Sequence, residues 1–139
     1  MSVRARSFSY EVSLDRAWVA TSSRGGTAIP NEEEAWTPEH LLLVGLSRCI
    51  LTSLRYHARR AGHAPEASAA AEGVVTRREE DGRFAFVEIR VRLDVRLDAA
   101  PPAEELRALV ARAERDCFVG ASLTVKPDYR WTVNGEDIS

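Results

Sequence analysis

The sequence predicts an α+β domain, an antiparallel sheet with a long central helix, and three observations carry that reading. Period-two alternation, the mark of a strand with one buried face, flanks both sides of a strongly apolar segment. That segment, Trp36 to Leu54, begins with helix-start chemistry. The order is then strands, long helix, strands, helix, strand, which fits α+β rather than alternating β and α units. A chain of 139 residues suits one compact domain. No repeat or low-complexity linker divides it, so residues 1–139 are expected to form a single domain.

Phe8, Tyr10, Val12 and Leu14 alternate with Ser9, Glu11 and Ser13, giving a first strand. Asp15-Arg16 reads as a tight turn into a second strand, Ala17 to Ser22. Arg24-Gly25-Gly26 marks a bend, and Asn31-Glu32-Glu33-Glu34 an acidic loop. Thr37-Pro38-Glu39 opens the long helix: Thr37 caps, Pro38 suits the first turn, and Glu39 complements the positive dipole end. The helix is expected to run to about Arg60 and stop before Gly62. Leu41, Leu42, Leu43, Val44, Leu46, Cys49, Ile50 and Leu51 make its first half apolar nearly all round. Such a helix needs cover on several sides, more than so short a chain supplies, which points to a second subunit.

Glu66 to Arg78 and Arg83 to Leu97 form a hairpin about Glu80-Asp81-Gly82. The second arm changes phase at Phe86-Val87, the signature of a bulge. Pro101-Pro102-Ala103-Glu104-Glu105 opens a second helix, with Leu106, Leu109, Val110 and Ala113 on one face and an end near Asp116. Leu123 to Val133 alternates as a last strand, interrupted or edged by Pro127.

Apolar residues make up 45% and charged residues 29%, an ordinary globular balance. The formal net charge of -2 gives no field to attract nucleic acid or an anionic membrane. The N-terminus lacks the apolar core of a signal peptide, and the run Leu41 to Leu46 is too short to span a bilayer. A cytoplasmic protein is therefore expected, where thiols usually stay reduced. Cys49 and Cys117 are then two inert thiols, a transient redox pair, or one reactive thiol. There is no CxxC and no ligand-like His spacing, so neither metal nor other cofactor is expected.

Each polar candidate has a bland reading beside the chemical one. Cys49 alone is core filler, because a thiol needs a cation or oriented donors to ionise, and Arg48 points about 100° away from it on a helix. Cys117 precedes Phe118-Val119-Gly120-Ala121-Ser122. It is either a small residue at a tight junction or a thiol at the start of a helical turn, whose free N–H groups favour the thiolate. Glu39 complements a dipole, and Arg16 and Arg24 are solvated loop charges by default. His40 lies in the first helical turn; His57 and His63 lie towards the helix end and take no ligand role.

Taken together, these residues resemble a known pattern. "TPEHLLLVGLSRC" is similar to the helix signature of the OsmC/Ohr family, the osmotically inducible and organic hydroperoxide resistance proteins. There a Pro-Glu dipeptide starts a long central helix and a cysteine follows ten residues after the Glu, as Pro38, Glu39 and Cys49 do here. A second cysteine before the last strand matches Cys117. The resemblance implies an intertwined homodimer and a thiol-dependent peroxidase preferring organic hydroperoxides. It implies Cys49 as the peroxidatic thiolate, Cys117 as the resolving thiol, and Glu39 orienting an arginine. It also implies a dithiol reductant, a lipoylated or thioredoxin-like protein.

The sequence departs from the pattern after the second cysteine, where many relatives carry Pro and a polar residue and this chain has Phe118-Val119-Gly120. The arginine has two candidates by resemblance: Arg16, from the loop between the first two strands, which is favoured, and Arg24, from the segment before the helix. Ten helical residues rise about 15 Å and leave Glu39 and Cys49 about 80° apart. A bridging arginine, a bend or a second subunit must close that gap. The alternative is a binding protein of the same fold, with an apolar interface pocket and unreactive cysteines.

Overall fold

The structure is a computed structural model describing residues 6–17, 19–28 and 35–139. By its contacts the chain falls into two compact units, one ending at His40 and one spanning Leu41–Ser139.

In the first unit, β1 (Val12–Leu14), β2 (Ala20–Ser22) and β3 (Thr27–Ala28) form a small antiparallel sheet in that order. The Asp15-Arg16 turn forms as expected. Asp15 Oδ1 accepts the N–H groups of Ala17 at 2.8 Å and Val19 at 3.0 Å, the side-chain device that makes Asp a turn former. Gly25, at φ 93°, turns the chain from β2 towards β3. The expected first strand is corrected in two respects: only Val12–Leu14 is strand, and none of it is buried. Strands of two or three residues make too small a sheet to cover its own apolar face. The acidic residues 31–34 lie outside the described residues.

The helix start follows the sequence closely. The Thr37 hydroxyl oxygen accepts the His40 N–H at 3.3 Å and also pairs with His40 Nδ1 at 2.6 Å. Helix α1 runs Pro38–Arg60. It ends in a Schellman arrangement: His63 N–H to Ala58 O at 2.8 Å and Gly62 N–H to Arg59 O at 3.0 Å. Gly62 takes φ 87°, which a side chain would strain.

In the second unit a four-stranded sheet has the order β4-β5-β6-β7. β4 (Glu66–Arg77) and β5 (Phe84–Arg96) are the expected hairpin, and β7 is Glu136–Asp137. The bulge is where the phase change put it: Val74 faces Glu88 and Val75 faces Phe86, leaving Val87 as the extra residue. Beyond it Ile89, Val91, Leu93 and Val95 all turn inward and are buried.

One expectation is corrected here. The last strand, β6, begins only at Asp128, after Pro127, and runs parallel to β5 rather than antiparallel. The reason is the connection. Helices α2 (Ala103–Arg115) and α3 (Phe118–Ser122) lie between β5 and β6, and such a crossover carries the chain back to enter in the same direction. The sheet is therefore mixed, within an α+β fold.

On the long helix the chain itself covers one face. The helix's buried residues, Leu46, Ile50, Ser53, Leu54 and Ala58, form one stripe, while Leu41 and Val44 are about half exposed. One sheet and one short helix pair cover a single side of a helix. The core joins that stripe to the inward residues of β5, to Trp131 and Val133 of β6, and to Leu106, Leu109, Val110 and Ala113 of α2, the four residues expected there. Among the described residues no helix is long and apolar enough to cross a membrane.

Gly73 of β4 packs closely against Phe86 of β5. A Cβ there would stand 2.5 Å from Phe86 Cε1, with Leu43 Cδ2 behind at 3.5 Å. Gly73→Ala should lower stability by about 1–3 kcal/mol, the usual cost of overpacking. Urea unfolding with an unchanged midpoint would show that Phe86 yields freely.

Candidate active site

The two cysteines, distant in sequence, meet beside α3. Cys49 sits half-buried on α1, between the core residues Leu46 and Ile50. Cys117 is fully buried and is the N-cap residue of α3, with an extended backbone at φ -78° and ψ 105°. Both are free thiols. The Val119 N–H, in the first turn of α3, donates to Cys49 Sγ at 3.5 Å. Burial pushes the Cys117 thiol up, and the neighbouring Cys49 adds to that; the Gly120 N–H and the Tyr129 hydroxyl act the other way. The Cys117 sulfur makes no close capping hydrogen bond in the reduced protein, so the Gly120 N–H acts on it only loosely.

Three polar contacts lash α1 to the segment that carries Cys117. They come from Cys49, Ser53 and His57, spaced four residues apart and so roughly aligned on one helix face. Cys49 receives the Val119 N–H, the Ser53 hydroxyl donates to Ala113 O at 2.7 Å, and His57 Nε2 pairs with Asp116 Oδ2 at 2.7 Å. Asp116 is next to Cys117 in the chain, so this pair fixes where the second thiol begins. Arg115, and then His57, hold the Asp116 carboxyl down at about 2, against a usual carboxylate value of about 3.9. A depressed folded pKa contributes stability above the unfolded value and loses it as pH falls through the folded one. Asp116→Asn should therefore flatten the acid limb of the stability profile between about pH 4 and pH 2. An acid limb identical to wild type in a pH series of thermal melts would refute that.

Sequence reasoning placed His57 only as a polar residue towards the helix end and passed over Ser53 and Asp116. The four-residue spacing from Cys49 was a usable signal for the first two. The other expected site residues lie in the first unit or the first turn of α1. Arg16 is exposed in the turn between β1 and β2. Arg24 stacks over the Tyr10 ring, 5.0 Å from its centroid. Glu39 is exposed in the first turn of α1, where it complements the dipole. A cleft at the hairpin end of the sheet, bordered by Thr76, Arg78, Phe86 and Val125, contains neither cysteine. No cluster of three or more metal-ligating side chains occurs among the described residues.

The class these features define is an α+β protein with a long helix, a mixed sheet and two free thiols beside a short helix. The chain belongs to the OsmC-like protein family, whose model matches residues 31–132. Among solved structures it is similar to an OsmC-like protein of unknown function from Vibrio cholerae. The TM-score there is 0.74 at 16% identity, covering 92% of this chain and 100% of that one. It is similar to the organic hydroperoxide resistance protein OhrB of Bacillus subtilis, with TM-score 0.59, 24% identity, and 90% and 98% of the two chains covered. A third neighbour is a putative organic hydroperoxide resistance protein from Vibrio cholerae with captopril bound in one of its active sites. It has TM-score 0.62 and 21% identity, with 96% of each chain covered. No curated protein matches the chain.

Proposed function

We propose that this protein is a thiol-dependent peroxidase that reduces organic hydroperoxides through Cys49 and Cys117. The observation that carries the reading is the meeting of the two thiols at α3, with the Val119 N–H directed at Cys49 Sγ. Two thiols within reach of each other are what a sulfenic acid and disulfide cycle requires. The family, and the neighbours named as organic hydroperoxide resistance proteins, support the substrate class.

In this reading the Cys49 sulfur attacks the distal oxygen of the hydroperoxide. The O–O bond breaks, an alcohol leaves with the Cys49 proton, and Cys49 becomes a sulfenic acid. Cys117 then displaces the hydroxyl, forming a disulfide and releasing water. A dithiol, on a lipoylated or thioredoxin-like protein, reopens the bridge and is itself oxidised to a disulfide. Arg16 supplies the cation that steadies the Cys49 thiolate and the peroxide, with Arg24 the alternative, and Glu39 orients it. The protein works as a homodimer in the cytoplasm. The half-exposed Leu41 and Val44 of α1, and the uncovered apolar residues of β1, support a second subunit.

Intact mass after one equivalent of cumene hydroperoxide tests the reading. Loss of two hydrogens per chain is the expected result. An unchanged mass would instead favour an OsmC-like binding protein with unreactive cysteines.

A further inference from the structure

Gly120 is the point where the surroundings of Cys117 close. A Cβ at this position would stand 2.5 Å from Tyr129 Oη, 3.4 Å from Cys117 Sγ and 3.6 Å from Leu46 Cδ1. The absence of a side chain at residue 120 therefore lets the β6 tyrosine reach the α3 cysteine. Tyr129 Oη is sealed from solvent and has no hydrogen-bond partner of good geometry in the reduced protein. A buried hydroxyl left in that state is costly, and Tyr hydroxyls normally find a partner when buried.

We propose that Tyr129 is a positioning residue for Cys117: its hydroxyl donates to the sulfur as the thiolate develops, both when the disulfide forms and when it reopens. This rests on the reading of Cys117 as the resolving thiol.

The surrounding groups suit a permanent donor. Burial pushes the Tyr129 hydroxyl far above its ordinary value, and the charges of Cys117, Glu114 and Cys49 push in the same direction. Tyr129 therefore keeps its proton throughout. The titratable groups facing Cys117 are Cys49 from α1 and Tyr129 from β6. Glu114 of α2 acts on Tyr129, and is itself raised by burial and opposed by Lys126. Asp116 adjoins Cys117 and is committed to Arg115 and His57. Of these side chains, Tyr129 alone favours the Cys117 thiolate, alongside the Gly120 N–H. In the resolving step the proton of Cys117 goes to the hydroxyl leaving Cys49, the S–O bond breaks, the S–S bond forms and water departs. The tyrosine proton only moves closer to sulfur and back.

The test is the titration of Cys117 in the Cys49→Ser protein, followed by thiolate absorbance and by alkylation rate. Adding Tyr129→Phe, which keeps the ring, should raise the midpoint by about one pH unit and slow alkylation near neutral pH about tenfold. Gly120→Ala, which keeps the hydroxyl but displaces it, should shift the midpoint in the same direction. A midpoint unchanged or lowered in Tyr129→Phe overturns the proposal. The titration needs no peroxide, so a protein that failed to reduce hydroperoxide would refute the peroxidase reading while leaving this measurement decisive for Tyr129. If the peroxidase reading holds, Tyr129→Phe in the Cys49-containing protein should also lengthen the life of the Cys49 sulfenic acid, trapped with dimedone, about tenfold. An unaltered lifetime would likewise overturn the role in resolution.

Discussion

Cys49→Ser is expected to lower turnover of cumene or tert-butyl hydroperoxide to less than about one-thousandth of the wild-type rate, a barrier increase of about 4 kcal/mol or more. The size of the effect follows from what sulfur does at this position. A thiol can ionise near neutral pH, and its thiolate can accept the peroxide oxygen to become a sulfenic acid. A serine hydroxyl does neither. The substitution should spare the fold, because Cys49 is only half-buried and a serine oxygen can still accept the Val119 N–H. Circular dichroism and the melting curve should therefore match wild type while turnover disappears. Wild-type turnover in a folded Cys49→Ser protein would show that the chemistry lies elsewhere.

Elements whose signals are local were legible in the sequence. Thr37, Pro38 and Glu39 announced the start of α1 and Gly62 its end, because caps act over three or four residues. The β4–β5 hairpin, its bulge at Val87 and the buried face of α2 were likewise written in short-range periodicity. Strand direction was not. The parallel pairing of β5 with β6 depends on how a two-helix crossover returns across the sheet, and alternation in Asp128–Val133 reads the same in either direction. Burial was misjudged where a pattern records a face without saying what covers it: β1 alternates yet is exposed. The site divides in the same way. The paired cysteines could be named from the chain, but their meeting at α3, and Tyr129 closing over Gly120, are contacts between distant segments. No spacing encodes such contacts.

Cys117→Ser should separate the two halves of the proposed cycle. The first attack uses only Cys49, so the variant should still consume one equivalent of hydroperoxide per chain in a rapid burst. The Cys49 sulfenic acid then has no internal thiol to meet. Disulfide formation stops, and dithiol-supported steady-state turnover should fall at least about a hundredfold. The substitution should be mild for packing, since serine is close to cysteine in size, and the buried Tyr129 hydroxyl, which lacks a partner in the reduced protein, is a nearby polar group for the new hydroxyl. A persistent dimedone adduct on Cys49, with no disulfide on a non-reducing gel, is the expected signature. Sustained turnover with a lipoyl donor would instead mean that the external dithiol resolves the sulfenic acid directly. Cys117 would then be a buried structural thiol, and the resolving role proposed for it would be lost.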